Sequence, residues 1–322
     1  MNFSAFAPRR AALAFTLGLA TLLASCGGGD PVKAFEPRRV LAFGDEYSVI
    51  TPAGRKYGIN AMVADSGGVK TLSCVTNPLW VQRLAASHGL VFPECNPDNV
   101  ADPASRIYAA EGATVADLAA QIDQHLAADS FSDRDLVTLL VGQHDLLALY
   151  ASYPATPSAE LVAAAKAAGG ALAAQVVRVA DAGGKVLVST VPSLSVMPFA
   201  RADDVTAGDN SRTKLLKEMV DAFNGGLRLG IAKENGSEVA LMLTNELMDT
   251  MYKYPSSYAM SNSLVVACDA ALAPALIDCS TDTLVTGATS TSHLWADDRH
   301  FGPQGHAYIG TLAANRVRTN PF

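Results

Sequence analysis

Hydrophobic positions along the chain fall into two alternating patterns. Short, nearly continuous apolar runs at residues 40–43, 136–141, 185–191 and 239–243 read as strands. Runs of this kind, rich in Val and Leu, suit strands buried on both faces of a parallel sheet. Between them, apolar residues recur at spacings of three and four, the helical period. Leu79, Trp80 and Leu84 predict a helix starting within 78–85, and Val115, Leu118, Ile122 and Leu126 predict one over 114–126. An Ala-rich stretch predicts a long helix over 158–182, ended by Gly183 and Gly184. Lys166 and Arg178 interrupt that stretch, so it reads as a packing helix rather than a membrane segment. Further helices are predicted over 213–233 and after Pro303, the latter carrying Ala307, Ile309, Leu312 and Ala313. Residues 248–292, with Pro255 and many Ser and Thr, read as irregular. Strand–helix alternation with crossovers of this length implies one α/β domain, a mainly parallel sheet sandwiched by helices.

Composition supports a packed fold. Of 322 residues, 49% are hydrophobic and 17% charged, enough for a sizeable core. The net charge of −7 and the lack of a basic stripe exclude nucleic acid as a partner class.

The first residues change the picture more. Arg9 and Arg10 precede an apolar stretch over 11–23, too short to span a bilayer, and Leu23-Ala24-Ser25-Cys26 looks like a bacterial lipobox. Residues 1–25 are therefore expected to be a signal peptide, Cys26 a lipidated residue, and 26–38 a flexible tether, leaving a domain over 39–322. The expected location is the bacterial cell envelope at the outer membrane, with the anchor at Cys26 as the membrane partner. Four cysteines remain, Cys74, Cys95, Cys268 and Cys279. An even number in an exported chain reads as disulfides. Three pairings are possible, and the local ones, Cys74–Cys95 and Cys268–Cys279, are expected. No close Cys-x-x-Cys pair points to zinc.

Four short segments carry candidate chemistry: Gly44-Asp45-Glu46, Gly112 in Tyr108-Ala109-Ala110-Glu111-Gly112-Ala113, Gly142-Gln143-His144-Asp145 after an apolar strand, and Asp297-Asp298-Arg299-His300 ahead of Gly302-Pro303 and His306. In order and spacing they resemble the blocks of the SGNH hydrolases, also called GDSL lipases and esterases, and most of all the bacterial phospholipase-like and autotransporter esterase branch. Asn77-Pro78-Leu79-Trp80-Val81, Val191-Pro192-Ser193-Leu194 and Ala222-Phe223-Asn224 extend the resemblance, as do Pro255 and Tyr258, over roughly residues 39–315. It implies a three-layer α/β/α sandwich of flavodoxin-like type and an ester hydrolase without a cofactor, acting on a lipid, an acylated sugar or a small ester. By the same resemblance, His300 takes a proton from the nucleophile, Asp297 orients the imidazole, and Gly112 and position 144 supply oxyanion donors.

Two positions depart from that pattern. Glu46 stands where the family has its nucleophilic Ser, and His144 where it has Asn. An ionised Glu46 opposes the negative oxygen that acyl transfer develops, and its attack on an ester would give a reactive anhydride. Ser48 lies two residues past the turn and is expected to point away. If the fold holds, Glu46, His144 and His300 converge. Three roles then stand open: a His₂Glu metal site with Asp297 behind it, Glu46 as general base on a water with a histidine as acid, or an ion pair between Glu46 and protonated His300 or His144 that leaves a binding protein for a glycan or acyl chain. Elsewhere His88 reads as surface, His293 as loop, His306 as packing or hydrogen-bonding, Asp145 as a helix cap, and Trp80 and Trp295 as core.

Overall fold

Five strands form a fully parallel sheet. The computed structural model describes residues 1, 35–234 and 236–322, so the targeting segment and Cys26 lie outside the described residues. The compact unit spans Phe35–Phe322. Its strands are β1 (Arg39–Gly44), β2 (Ala61–Ala64), β3 (Lys70–Ser73), β4 (Arg106–Ile107), β5 (Asp135–Leu140), β6 (Lys185–Ser189), β7 (Val239–Met242), β8 (Asn262–Val266) and β9 (His293–Trp295). The helices are α1 (Trp80–Ala86), α2 (Val115–Ala128), α3 (Gln143–Tyr150), α4 (Ser158–Asp181), α5 (Pro198–Ala207), α6 (Ser211–Gly230), α7 (Thr244–Lys253) and α8 (Pro303–Thr319). Short 3-10 turns lie at Glu46–Ser48, Leu194–Val196, Pro255–Tyr258 and Leu276–Asp278.

The sheet order is β4-β1-β5-β6-β7. All six residues of β5 are buried, as are the last five of β1. That double burial is why both strands are apolar without alternation. α1 packs on α8, while α4 packs on α6 and α2, giving the two outer layers of an α/β/α sandwich. α4 is long and apolar enough to cross a membrane by length and composition. It lies instead flat against α6, where Gly169 and Gly226 let the backbones touch: a Cβ at Gly226 would stand 2.2 Å from the Lys166 carbonyl oxygen.

Two small sheets, β2-β3 and β8-β9, sit outside the main one. Both local disulfides are present, with Cα–Cα distances of 5.7 Å for Cys74–Cys95 and 5.9 Å for Cys268–Cys279. The second closes a separate small core with Ile59, Ala267, Ala273 and Ala296. Residues 248–292 are more ordered than their polarity suggests: α7 and β8 fall in or across this stretch, which also holds the Pro255–Tyr258 and Leu276–Asp278 turns.

In an open parallel sheet the crevice lies beyond the strand C-termini, where the strand order reverses. Taken in chain order, the main-sheet strands run second-first-third-fourth-fifth, so the reversal falls at β1 beside β5. The segments after β1, β4 and β5 carry Glu46, Gly112 and His144.

Candidate active site

Two glycines set the ends of the central strands. Gly44 ends β1 at φ +121°, and a Cβ there would stand 1.9 Å from the Leu140 carbonyl oxygen. Gly142 follows β5 at φ +122°, and a Cβ there would stand 2.4 Å from the Phe223 ring. Both positions therefore require glycine for space as well as for backbone angle. Gln121 of α2 holds Gly44 from both sides, accepting its N–H at 2.8 Å and donating to its carbonyl at 2.9 Å. Asp45 accepts the Tyr47 N–H at 3.2 Å and starts the turn that carries Glu46.

The loop after β9 is built as firmly. The Ala296 N–H donates to the His300 carbonyl at 2.8 Å, the Gly302 N–H to the Leu294 carbonyl at 2.7 Å, and Trp295 stacks on Phe301. Within it Asp297 Oδ1 accepts the N–H groups of Arg299 at 2.9 Å and His300 at 2.7 Å. Both Asp297 oxygens lie 2.9 Å from His300 Nδ1.

These pieces meet on the side chain of Glu46, which is only 2% exposed. Its Oε1 accepts from His300 Nε2 at 2.8 Å and from His144 Nε2 at 2.7 Å. Its Oε2 accepts from the Gly112 N–H at 2.9 Å and lies 2.9 Å from the same His144 nitrogen. An ionised carboxylate only accepts, so both Nε2 atoms carry the proton in this network. The structure thus brings Glu46, Gly112, His144, Asp297 and His300 together. The open side is lined by His144 and Asp297, whose side chains are 25% and 30% exposed.

The charges follow from the contacts. Burial by itself would raise the Glu46 pKa, but hydrogen bonds from His144 and His300 outweigh it and hold the carboxyl below the usual range. Burial by itself would lower His300, but Asp297 and Glu46 outweigh it and push the imidazole up to about 10. Asp297 is lowered: burial opposes ionisation, and the His300 hydrogen bond more than offsets it. The site at neutral pH is therefore a buried Glu46–His300 ion pair backed by Asp297. Asp45 goes the other way. Burial, then the neighbouring Glu46 charge, push its carboxyl well above the ordinary range, and its Oδ2 has no partner among the described residues.

Two of the three open roles are affected. The metal alternative at Glu46, His144 and His300 does not fit the geometry: both Nε2 atoms point their protons at the carboxylate, and among the described residues no group of three or more His, Cys, Asp or Glu is disposed to hold a metal ion. As a general base Glu46 is weak at neutral pH, because its proton affinity lies far from the working range.

The other residues fall partly where expected and partly elsewhere. Ser48 is fully buried, away from solvent. Asp145 does cap a helix, but an earlier one: its carboxylate accepts the N–H of Val115, the first residue of α2, at 3.0 Å. His293 is buried in β9, not in a loop, and His88 is half-buried rather than on the surface. Trp80 and Trp295 are core. Sequence reasoning missed Tyr47, whose ring packs against His300 and whose hydroxyl lies 2.6 Å from the Arg299 carbonyl oxygen. It also missed Gln121, for which a signal existed: a polar residue on the apolar stripe of α2.

No protein-family model matches this chain, and no curated protein matches it in sequence. Among solved structures it is similar to a member of the lipolytic protein G-D-S-L family from Veillonella parvula, at 13% identity over 86% of this chain and 96% of that one, with a TM-score of 0.43. It is also similar to Axe2, an acetylxylan esterase from Geobacillus stearothermophilus, at 13% identity over 90% of this chain and 97% of that one, with a TM-score of 0.46.

Proposed function

We propose that this chain is an exported, lipid-anchored hydrolase of the SGNH type, acting on ester bonds with Glu46 as the attacking group in place of serine. One observation carries the reading: Glu46 Oε1 lies 2.8 Å from His300 Nε2, and His300 Nδ1 lies 2.9 Å from Asp297. Attacking group, proton carrier and orienting carboxylate stand in line, as in a triad. A carboxylate of low pKa is a poor base but remains a competent nucleophile in its ionised form. Attack by Oε1 on an ester carbonyl expels the alcohol, which takes the His300 proton, and leaves an acyl anhydride on Glu46. The neutral imidazole then activates a water that cleaves the anhydride. Lipid, acylated sugar and small esters are the substrate classes, and Cys26 is the membrane anchor. The two disulfides suit an oxidising, extracytoplasmic compartment.

The test is hydrolysis of short and medium nitrophenyl esters by the purified protein. Glu46→Ala and His300→Ala should each lower kcat/KM about 100- to 10,000-fold. Glu46→Ser should give a serine esterase, since Gly112, His144, Asp297 and His300 are in place. A second reading rests on a different observation: the oxyanion donors are filled by the protein's own carboxylate. On that reading the fold binds a glycan or acyl chain without cleaving it. Ester hydrolysis by the wild type no faster than by His300→Ala would favour it.

A further inference from the structure

α3 joins the candidate active site to a second feature of the surface. His144 lies in its first turn, and Ala148 and Ala151 follow on the same face, both exposed. At 1.5 Å per residue, Ala151 stands about 10 Å from His144 along the axis. There the face ends in a hollow of about 340 Å³ whose walls include Tyr150, Ala151, Tyr153, Asp203, Thr206 and Arg212. The loop that carries His300 reaches the same wall. The Phe199 N–H donates to the Asp298 carbonyl at 3.2 Å, and the Arg299 guanidinium lies 5.3 Å from the centre of the Phe199 ring. Phe199 in turn meets the Tyr150 ring edge to face at 6.3 Å.

Two polar groups in the hollow have unused capacity. The Arg212 guanidinium lies over the Tyr153 ring at 4.5 Å, a contact that holds it in place. Its backbone is held too: Asp204 accepts the Arg212 N–H at 2.9 Å and the Thr213 hydroxyl at 2.6 Å. Among the described residues that guanidinium donates no hydrogen bond and meets no carboxylate at ion-pair distance. Asp203 accepts the Tyr150 hydroxyl on Oδ2 at 2.7 Å, and its Oδ1 has no partner among the described residues. The hollow thus presents one fixed donor group and one fixed acceptor between two tyrosines.

That set selects its ligand chemistry. An apolar ligand would strip water from both groups and pair with neither. An anion would meet Asp203 and Asp204, which both act on the Tyr150 hydroxyl, against the single Arg212 charge. A cation would meet Arg212. A free amino acid would match the two charges and leave the rings unused. A neutral sugar has hydroxyls that both donate and accept, and C–H faces that lie against aromatic rings.

We propose that this hollow binds one sugar residue of a neutral oligosaccharide whose chain runs along α3 towards His144. The site goes beyond the ester-hydrolase reading and, where that reading holds, selects among its substrates. The ester then sits on a different sugar of the same chain, because the hollow and Glu46 lie at opposite ends of that span.

Xylotetraose, cellotetraose, maltotetraose and chitotetraose are the probes, titrated at millimolar concentration into the wild type by calorimetry. At least one is expected to bind. Arg212→Ala and Asp203→Asn should each weaken it about 10-fold or more, the loss of a hydrogen bond to a charged group. Arg212→Ala should leave nitrophenyl acetate hydrolysis unchanged and lower kcat/KM on the acetylated form of the bound tetrasaccharide by a similar factor. No binding of any of the four would overturn the proposal. So would equal binding by the wild type and Arg212→Ala, or displacement of the sugar by free serine. Sugar binding without cleavage of either acetyl ester would sink the ester reading and leave the hollow standing; cleavage of nitrophenyl acetate without sugar binding would do the reverse.

Discussion

His300 and His306 occupy the two ends of one short segment and have opposite fates. His300 has Asp297 on one nitrogen and Glu46 on the other, and its pKa is pushed up to about 10. His306 is buried on α8 beside the rings of Tyr47 and Phe301, with no partner for either nitrogen among the described residues. Burial, with Lys56, His300 and Arg83 adding to it, holds its pKa down to about 3. Burial disfavours the charged form of both rings. What reverses the outcome at His300 is two carboxylates at hydrogen-bonding distance. Partners, not depth, decide which histidine carries charge.

The comparison breaks most visibly if the partners are removed. His300→Ala leaves the Glu46 carboxylate buried without its cation and should cost about 3–5 kcal/mol of stability at pH 7, read by urea unfolding. In a Glu46→Gln background the same substitution should cost about 1 kcal/mol or less. Equal costs in the two backgrounds would show that the ion pair is not what the segment is built around.

The pH dependence sharpens it. The folded pKa of His300 is raised above the ordinary 6.5 to about 10, so its stabilisation is complete below 6.5 and is lost as the pH climbs towards 10. The folded pKa of His306 is depressed to about 3, so unfolding takes up a proton between 3 and 6.5 and stability falls as the pH drops through that window. Glu46, held below its ordinary 4.5, adds its own loss below that value. Each single-proton limb can reach about 1.4 kcal/mol per pH unit. In unfolding titrations His300→Ala should flatten the alkaline limb, and His306→Leu the limb between 4.5 and 6.5. A histidine substitution that flattened the opposite limb would break the assignment.

Smaller effects are expected at the packing around the two rings. Tyr47→Phe removes the hydroxyl that reaches the Arg299 carbonyl and should cost about 1 kcal/mol by thermal unfolding. His306→Leu replaces unpartnered polar atoms by apolar ones and should be neutral or stabilising within about 1 kcal/mol at pH 7. A loss above about 2 kcal/mol would mean that the ring has a partner.

The larger elements were legible because their patterns are long or doubly buried. The apolar run at 136–141 became β5 over Asp135–Leu140, and the Ala-rich stretch became α4 over Ser158–Asp181. Thr114 was legible as a boundary: it accepts the Asp117 N–H at 3.4 Å and caps α2. The edge strand β4 is two residues long and leaves no periodic trace. α7 starts at Thr244 and runs into a stretch read for its polar residues, although Met248 and Met251 supply its buried side. In the site, the blocks named Glu46, Gly112, His144, Asp297 and His300: the first three follow strands that the sheet order brings to one end, and the last two share the loop after β9. What they left open was direction. Nothing in the residue types said that Glu46 would turn both oxygens onto donors. Nor did they show that Asp145 would reach back to Val115, because that contact depends on α2 and α3 starting side by side.

Gly44 and Gly142 lend the cleft a property of their own. Each closes a central strand where no side chain fits, so the backbone fixes how far apart positions 46 and 144 stand. The scaffold is thereby insulated from the reagents it displays. The side chains at positions 46 and 144 can therefore be exchanged without redrawing the sheet, which makes this strand end a socket whose chemistry is replaceable while the fold is not.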